Sequence, residues 1–196
     1  MYITPALIDE AENLYGVPRE ARMTAPVREE EWDFIRRTQR RGRAHDVTLI
    51  IFHPDAATPQ IAVINKHGYP EGLFRPPSGG LDPGESFANG AGREAFEETG
   101  LTIALRRYIL RVFVDFNSPT RTLPWTTHVF TAHAENDKIV IYDTKEIRDA
   151  RWATLSVFDD FRKRSPEFDR GGVQYRRALH DEIMRELPRS SHRNGK

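Results

Sequence analysis

Residues 77–101 constrain this chain more than any other stretch: Pro-Ser-Gly-Gly-Leu-Asp-Pro-Gly-Glu-Ser-Phe-Ala-Asn-Gly-Ala-Gly-Arg-Glu-Ala-Phe-Glu-Glu-Thr-Gly-Leu. They read as a glycine-rich loop, a helix and a glycine stop. Ser86 is placed to cap the helix at its start, Gly100 to cap its end, and Leu101 to pack back after the stop. At 3.6 residues per turn, Glu94, Glu97 and Glu98 fall within about a 100° arc. Three carboxylates on one face repel one another. Either they form a solvated acidic patch or a divalent cation uses them, since hard cations take oxygen ligands and share them with substrate phosphates. Ala88, Gly92, Ala95 and Phe96 lie roughly opposite the arc. That side is expected to sit close to a sheet, compensating the helix propensity lost at Gly90 and Gly92, about 1 kcal/mol each.

The 196 residues fit one domain with room for appendages. With 29 basic and 29 acidic side chains there is no net field to attract nucleic acid or an anionic membrane. The absence of cysteine removes disulfides, thiolate metal sites and cysteine nucleophiles together. No apolar run has the length of a membrane span and the N-terminal residues lack the pattern of a signal peptide, so the expectation is a cytoplasmic protein.

Taken in order, residues 6–15 space their apolar members helically and stop at Gly16 and Pro18. A second helix is expected over 27–40, with Trp32 and Ile35 on a common side and Glu29–Glu31 near its positive end. These helices could cap a site, wrap the domain or make a homodimer contact. The basic run of Arg36, Arg37, Arg40, Arg41 and Arg43 reads either as a solvated helix end or as a source of one or two phosphate-binding arginines. Residues 46–53 form a nearly continuous apolar strand, expected to be central, and 61–66 its hairpin partner. A loop then brings Phe74 and Arg75 up to residue 77. Strands are expected over 102–116, 126–134 and 138–142, with a polar, proline-bearing loop at 117–124. Another strand runs through Trp152. Thr154 is expected to cap a helix from Leu155 to Arg164, with a linker over 166–172 and an amphipathic helix over 173–187. Trp125 either covers a bound base or plugs the sheet edge. The boundaries are a helical N-terminal extension (1–45), a catalytic domain (46–187) and a flexible tail (188–196).

The central stretch resembles the signature of the Nudix hydrolases, Gly-x5-Glu-x7-Arg-Glu-U-x-Glu-Glu-x-Gly-U with U aliphatic. Gly79, Glu85, Arg93, Glu94, Glu97, Glu98, Gly100 and Leu101 fill it in register. Ala95 stands where a larger aliphatic residue is common, and Ser78 replaces the first glycine of the usual Pro-Gly-Gly run. The resemblance implies an α/β/α sandwich on a mixed sheet, flanked here by the N-terminal helices and a C-terminal helix. It implies Mg²⁺-dependent hydrolysis, with Mn²⁺ an alternative, of the diphosphate in a nucleoside diphosphate linked to a moiety X, including ADP-ribose or sugar-nucleotide types. Glu94, Glu97 and Glu98 would ligate metal, with Glu94 or Glu98 assisting deprotonation of water. Glu85 and Gly79 would complete the metal surroundings, and Arg93 would hold a carboxylate in place. Gly80, Arg75 and Trp125 become candidates for substrate binding, and Glu146 for a general base outside the signature. The expected partner is a small nucleotide, with no specific nucleic acid or membrane. A non-catalytic nucleotide-binding module of the same fold is the rival reading. Such modules typically lose signature carboxylates, and this chain keeps them.

Overall fold

Strand β2 (His45–Phe52) is buried along all but its last residue, as an apolar strand with neighbours on both sides requires. The computed structural model describes residues 2–39, 42–168 and 170–187. In it β2 belongs to a mixed sheet with β1 (Arg19–Pro26), β3 (Gln60–Lys66), β4 (Ser78–Gly79), β5 (Ile103–Asn117), β6 (Thr122–Ala134) and β7 (Ile147–Thr154). The order is β1-β5-β6-β2-β3-β7, with β4 on β2. The β1–β5 and β6–β2 pairs are parallel and the remaining pairs antiparallel.

Side chains alternate along β2, and the core divides with them. Leu49 and Ile51 join the face covered by α1 (Pro5–Tyr15) and α3 (Phe87–Thr99), with Phe87, Ala91, Ala95 and Phe130. Ile50 joins the opposite face, covered by α2 (Glu29–Thr38), α4 (Val157–Arg164) and α5 (Gly171–Glu186), with Trp32, Phe158, Leu179 and Ile183. This is the expected α/β/α sandwich.

The sheet forks at its centre. β2 and β3 meet at Phe52 and Ile61 and then diverge. Residues 75–79 fill the gap: Arg75 and Ile64 exchange backbone bonds of 3.0 and 2.8 Å, Leu49 N–H donates to Pro77 O at 3.0 Å, and β4 pairs with Val47 and Thr48. The glycine-rich loop is thereby held at the split, where a cleft opens.

Several elements differ from the sequence reading. Residues 19–26, assigned no structure there, form edge strand β1. Their charged, alternating pattern suits a strand with one exposed face. β6 begins at Thr122 rather than 126, and Pro124 is tolerated because β2 joins β6 only from Thr126 onward. Residues 138–142 are not a strand. Val140 N–H donates to Thr99 O, and Tyr142 and Asp143 N–H to Glu97 O, so this run satisfies carbonyls at the end of α3. Ser156, not Thr154, precedes α4, and the expected linker contains a 3₁₀ turn (Ser165–Glu167) before α5 starts at Gly171. The expected tail lies outside the described residues. Among the described residues no helix is long and apolar enough to cross a membrane.

Candidate active site

Helix α3 is capped as its sequence demands. Ser86 Oγ accepts from Asn89 N–H at 3.2 Å, and Gly100 closes the helix at φ 71°. Its packing face, however, is Phe87, Ala91, Ala95, Glu98 and Thr99, with Gly90 against Leu81. Ala88 is exposed, nothing lies within 4 Å of a side chain built on Gly92, and Phe96 stacks on Tyr142 at the surface. The face was misjudged because Glu98 is drawn inward: its Oε2 accepts from Ser78 N–H at 2.9 Å, and Lys66 Nζ lies 2.9 Å from its Oε1. That second contact is an ion pair without hydrogen-bond alignment, so buried Oε1 makes no hydrogen bond.

Arg93 organises the remaining carboxylates. It binds Glu85 through two parallel bonds of 2.9 Å, Glu94 at 2.9 Å, Glu97 at 3.4 Å and Gly80 O at 2.8 Å. Glu85 is held below the usual carboxylate range by its hydrogen bonds from Arg93. Glu94 goes the other way: burial, then the charge of Glu98, raises it to about 7 against the opposing pull of Arg93. Gly79 permits this placement, because a β-carbon there would fall 1.9 Å from the Glu94 carboxyl carbon. A β-carbon on Gly80 would meet the Arg43 guanidinium at 1.8 Å.

Gly79, Gly80, Glu94 and Arg43 line one end of a cleft of about 270 Å³. Glu94, Glu146 and Lys66 form the acidic end, where Glu146 grips Lys66 and so reaches Glu98 through it. Phe116, Trp125 and Tyr175 give an aromatic wall. The floor is a buried polar network. Asp46 accepts from Trp125 Nε1 at 2.9 Å, from Thr127 Oγ1, and from Arg176 Nη2 at 2.7 Å. Burial opposes ionisation of Asp46, but the Arg176 charge and these bonds outweigh it and hold its carboxyl below the usual range. Arg176 also donates to Thr48 Oγ1 (3.0 Å) and Ser78 Oγ (3.1 Å), and Arg75 donates to the same Ser78 Oγ at 2.8 Å.

Of the residues singled out from the sequence, Arg75, Gly79, Gly80, Glu94, Trp125 and Glu146 line the cleft; Glu98 and Arg93 stand behind that lining, bonded to Ser78 and Gly80, Glu85 joins through Arg93, and Glu97 stays at the helix surface. Trp125 is buried at the sheet and lines the cleft. Within the basic run, Arg43 is the member that lines the cleft, while Arg36 and Arg37 are exposed and Arg40 and Arg41 lie outside the described residues. Sequence reasoning missed Asp46, Tyr175 and Arg176. The available signals were a carboxylate opening an apolar strand, and polar residues beside the Tyr175–Leu179–Ile183 stripe of α5.

The residues at the acidic end fit a hard divalent cation by donor chemistry. Glu98 Oε1 is buried without a hydrogen bond, Glu94 is destabilised as an anion by burial and then by Glu98, and Gly79 leaves room beside it. Among the described residues no three acidic or histidine side chains already converge as a cage. Arg93 and Lys66 occupy the carboxylates instead.

The model of the NUDIX domain family matches residues 42–172, more than half of the chain. The chain belongs to the Nudix family. No curated protein matches its sequence significantly. Among solved structures it is similar to the NUDIX domain of Shewanella oneidensis NrtR complexed with ADP ribose, at 16% identity and a TM-score of 0.51, covering 74% of this chain and 89% of that one. It is also similar to a C. elegans Ap4A hydrolase (19%, TM-score 0.48, covering 72% and 96%) and to a MutT NUDIX hydrolase from Burkholderia pseudomallei (25%, TM-score 0.43, covering 58% and 84%). The NrtR likeness bears out the fold.

Proposed function

We propose that the chain hydrolyses the diphosphate bond of a nucleoside diphosphate linked to a second moiety, releasing a nucleoside monophosphate and a phosphorylated X, with Mg²⁺ or Mn²⁺ held by Glu94, Glu97 and Glu98. The observation that carries this reading is the junction, in one cleft, of Glu94, with Glu98 behind it on Ser78 and Lys66, an arginine-rich floor and an aromatic wall. A diphosphate resists attack because its oxygens and its leaving group are anionic. A bound divalent cation supplies charge neutralisation at the phosphoryl oxygens and makes water easier to deprotonate.

The chain's own residues do the rest. Arg93 ties Glu85 and Glu94 to Gly80 O, which holds the helix and the glycine-rich loop in one arrangement. Glu94, lining the cleft beside Gly79, is placed to accept a proton from attacking water. Water oxygen forms the new bond to phosphorus as the bridging P–O bond breaks, and the leaving phosphate keeps that bond's electrons. Lys66, steadied by Glu146, faces the buried Glu98 and adds positive charge where the leaving oxygen becomes anionic. We assign Glu146 to holding Lys66 rather than to acting as the base. Phe116, Trp125 and Tyr175 offer flat apolar surface to a base or sugar.

We assign the hydrolase domain to residues 46–187. The N-terminal extension reaches the cleft through Ile35 and Arg43.

The test is phosphate release, coupled to a phosphatase, across ADP-ribose, sugar nucleotides, dinucleoside polyphosphates and nucleoside triphosphates, with Mg²⁺, beside Glu98→Gln. Metal-dependent turnover of one class that disappears in Glu98→Gln supports the assignment. Turnover surviving that change would show the carboxylate roles to be wrong, and tight binding without turnover would favour a nucleotide sensor.

A further inference from the structure

Arg75 is a buried cation without a direct ion pair. It is 4% exposed, yet among the described residues no carboxylate stands within ion-pair distance of it. Its Nη1 donates to Pro76 O (2.9 Å) and Ser78 Oγ (2.8 Å), the ring of Tyr69 lies 5.6 Å from its guanidinium carbon, and its Nε is buried with no hydrogen-bond partner. Asp46 pairs directly with the neighbouring Arg176, whereas Arg75 meets the charges of Glu98 and Asp46 only beyond ion-pair distance. Burying a charge this way is unfavourable unless an anion arrives.

Ser78 joins the two arginines. A serine hydroxyl has two acceptor lone pairs and one hydrogen. Arg75 and Arg176 use the lone pairs, and among the described residues the hydrogen has no acceptor. Arg75, whose guanidinium no carboxylate touches, and Ser78 both line the cleft. Ser78 also fixes the distance of this seat from the chemistry, because its N–H binds Glu98. The hydroxyl and the amide of this one residue thus set the seat directly beside Glu98.

We propose that Arg75, Arg176 and Ser78 form a seat for one phosphoryl group of the substrate's diphosphate, beside the group held at the carboxylate end. This rests on the reading that a diphosphate enters the cleft. It also gives a role to the serine standing in place of glycine at position 78.

Titration of the full chain with inorganic phosphate in the presence of a metal chelator tests the seat apart from hydrolysis. Wild type should bind, and Ser78→Gly and Arg75→Gln should each lose about tenfold to a hundredfold in affinity, with Arg75→Lys intermediate. Without phosphate, Arg75→Gln should melt no lower than wild type, because it removes an unpaired buried charge. Phosphate should raise the melting temperature of wild type and leave that of Arg75→Gln unmoved. Equal phosphate affinity in all four proteins, no binding by wild type, or a lowered phosphate-free melting point for Arg75→Gln would overturn the proposal. Phosphate binding without turnover of any substrate would sink the hydrolase reading alone, and turnover with unaltered phosphate affinity in Arg75→Gln would sink the seat alone.

Discussion

Asp46→Asn isolates the buried network under the cleft. Asp46 is 5% exposed, and its two oxygens accept from Trp125, Thr127 and Arg176. Asparagine keeps the shape but replaces one acceptor with a donor, so at least one bond becomes a donor–donor clash. Arg176 is left buried, 2.7 Å from a neutral group. Breaking a buried pair by removing one partner costs roughly 3–5 kcal/mol. For a chain of this size, each kcal/mol lowers the melting temperature by about 2–4 °C, giving a fall of roughly 6–20 °C. Urea and thermal unfolding of the two proteins at pH 7.5 measure it. A variant within about 1 kcal/mol of wild type would refute the reasoning, since well-coupled buried pairs do not lose a partner so cheaply.

Buried His45 and His128 are held neutral, burial lowering them to about 4 and about 3, so they stabilise the fold above pH 6.5 and progressively less as pH falls toward those values. Glu94, raised to about 7, works in the opposite direction over part of that range. The clean readout is therefore a difference: from pH 6.5 to 4.5, urea stability of His128→Gln should fall less steeply than wild type by about 1.4 kcal/mol per pH unit, one proton's worth. Equal slopes would contradict it. Gly79→Ala pushes a β-carbon onto the Glu94 carboxyl, whose flexible end can shift; turnover should drop by about 100-fold in a steady-state assay while the protein remains folded. Gly92→Ala meets nothing within 4 Å in a helix interior and should raise stability by about 0.5–1 kcal/mol in urea unfolding, with turnover unchanged. Mg²⁺ should raise the melting temperature of wild type and shift Glu97→Gln and Glu98→Gln less, read by differential scanning fluorimetry without substrate.

The signature helix was legible because capping, spacing and charge all lie within 25 consecutive residues. Ser86 and Gly100 cap it as read, and Arg93 meets the carboxylates it was expected to hold. Its buried side was not legible: helical periodicity places Glu98 with the acidic arc, and only the Ser78 amide and Lys66, distant in sequence, draw it inside. β2 announced itself by unbroken apolar residues, whereas β1 owes its place to β5, a partner beyond the reach of local pattern. The run 138–142 has the composition of a strand, but the open carbonyls of α3 claimed its N–H groups first. The cleft floor is hardest to read in advance. Asp46, Trp125 and Arg176 come from three separate elements, and only the completed sheet brings them together.

The pairing of β1 with β5 also bears on how the chain reaches this state. Glu20 meets Arg111 across a separation of 91 residues, and Arg19 meets Glu182 of α5 across 163. At typical synthesis rates of about 5–20 residues per second, residues 19–26 wait roughly 5–20 seconds for their partner strand, and longer for the helix that covers them. During that interval β1 is an unpaired ribbon, able to pair with whatever edge it meets. Its alternating arginines and glutamate are then as much a safeguard on the ribosome as a surface in the finished fold.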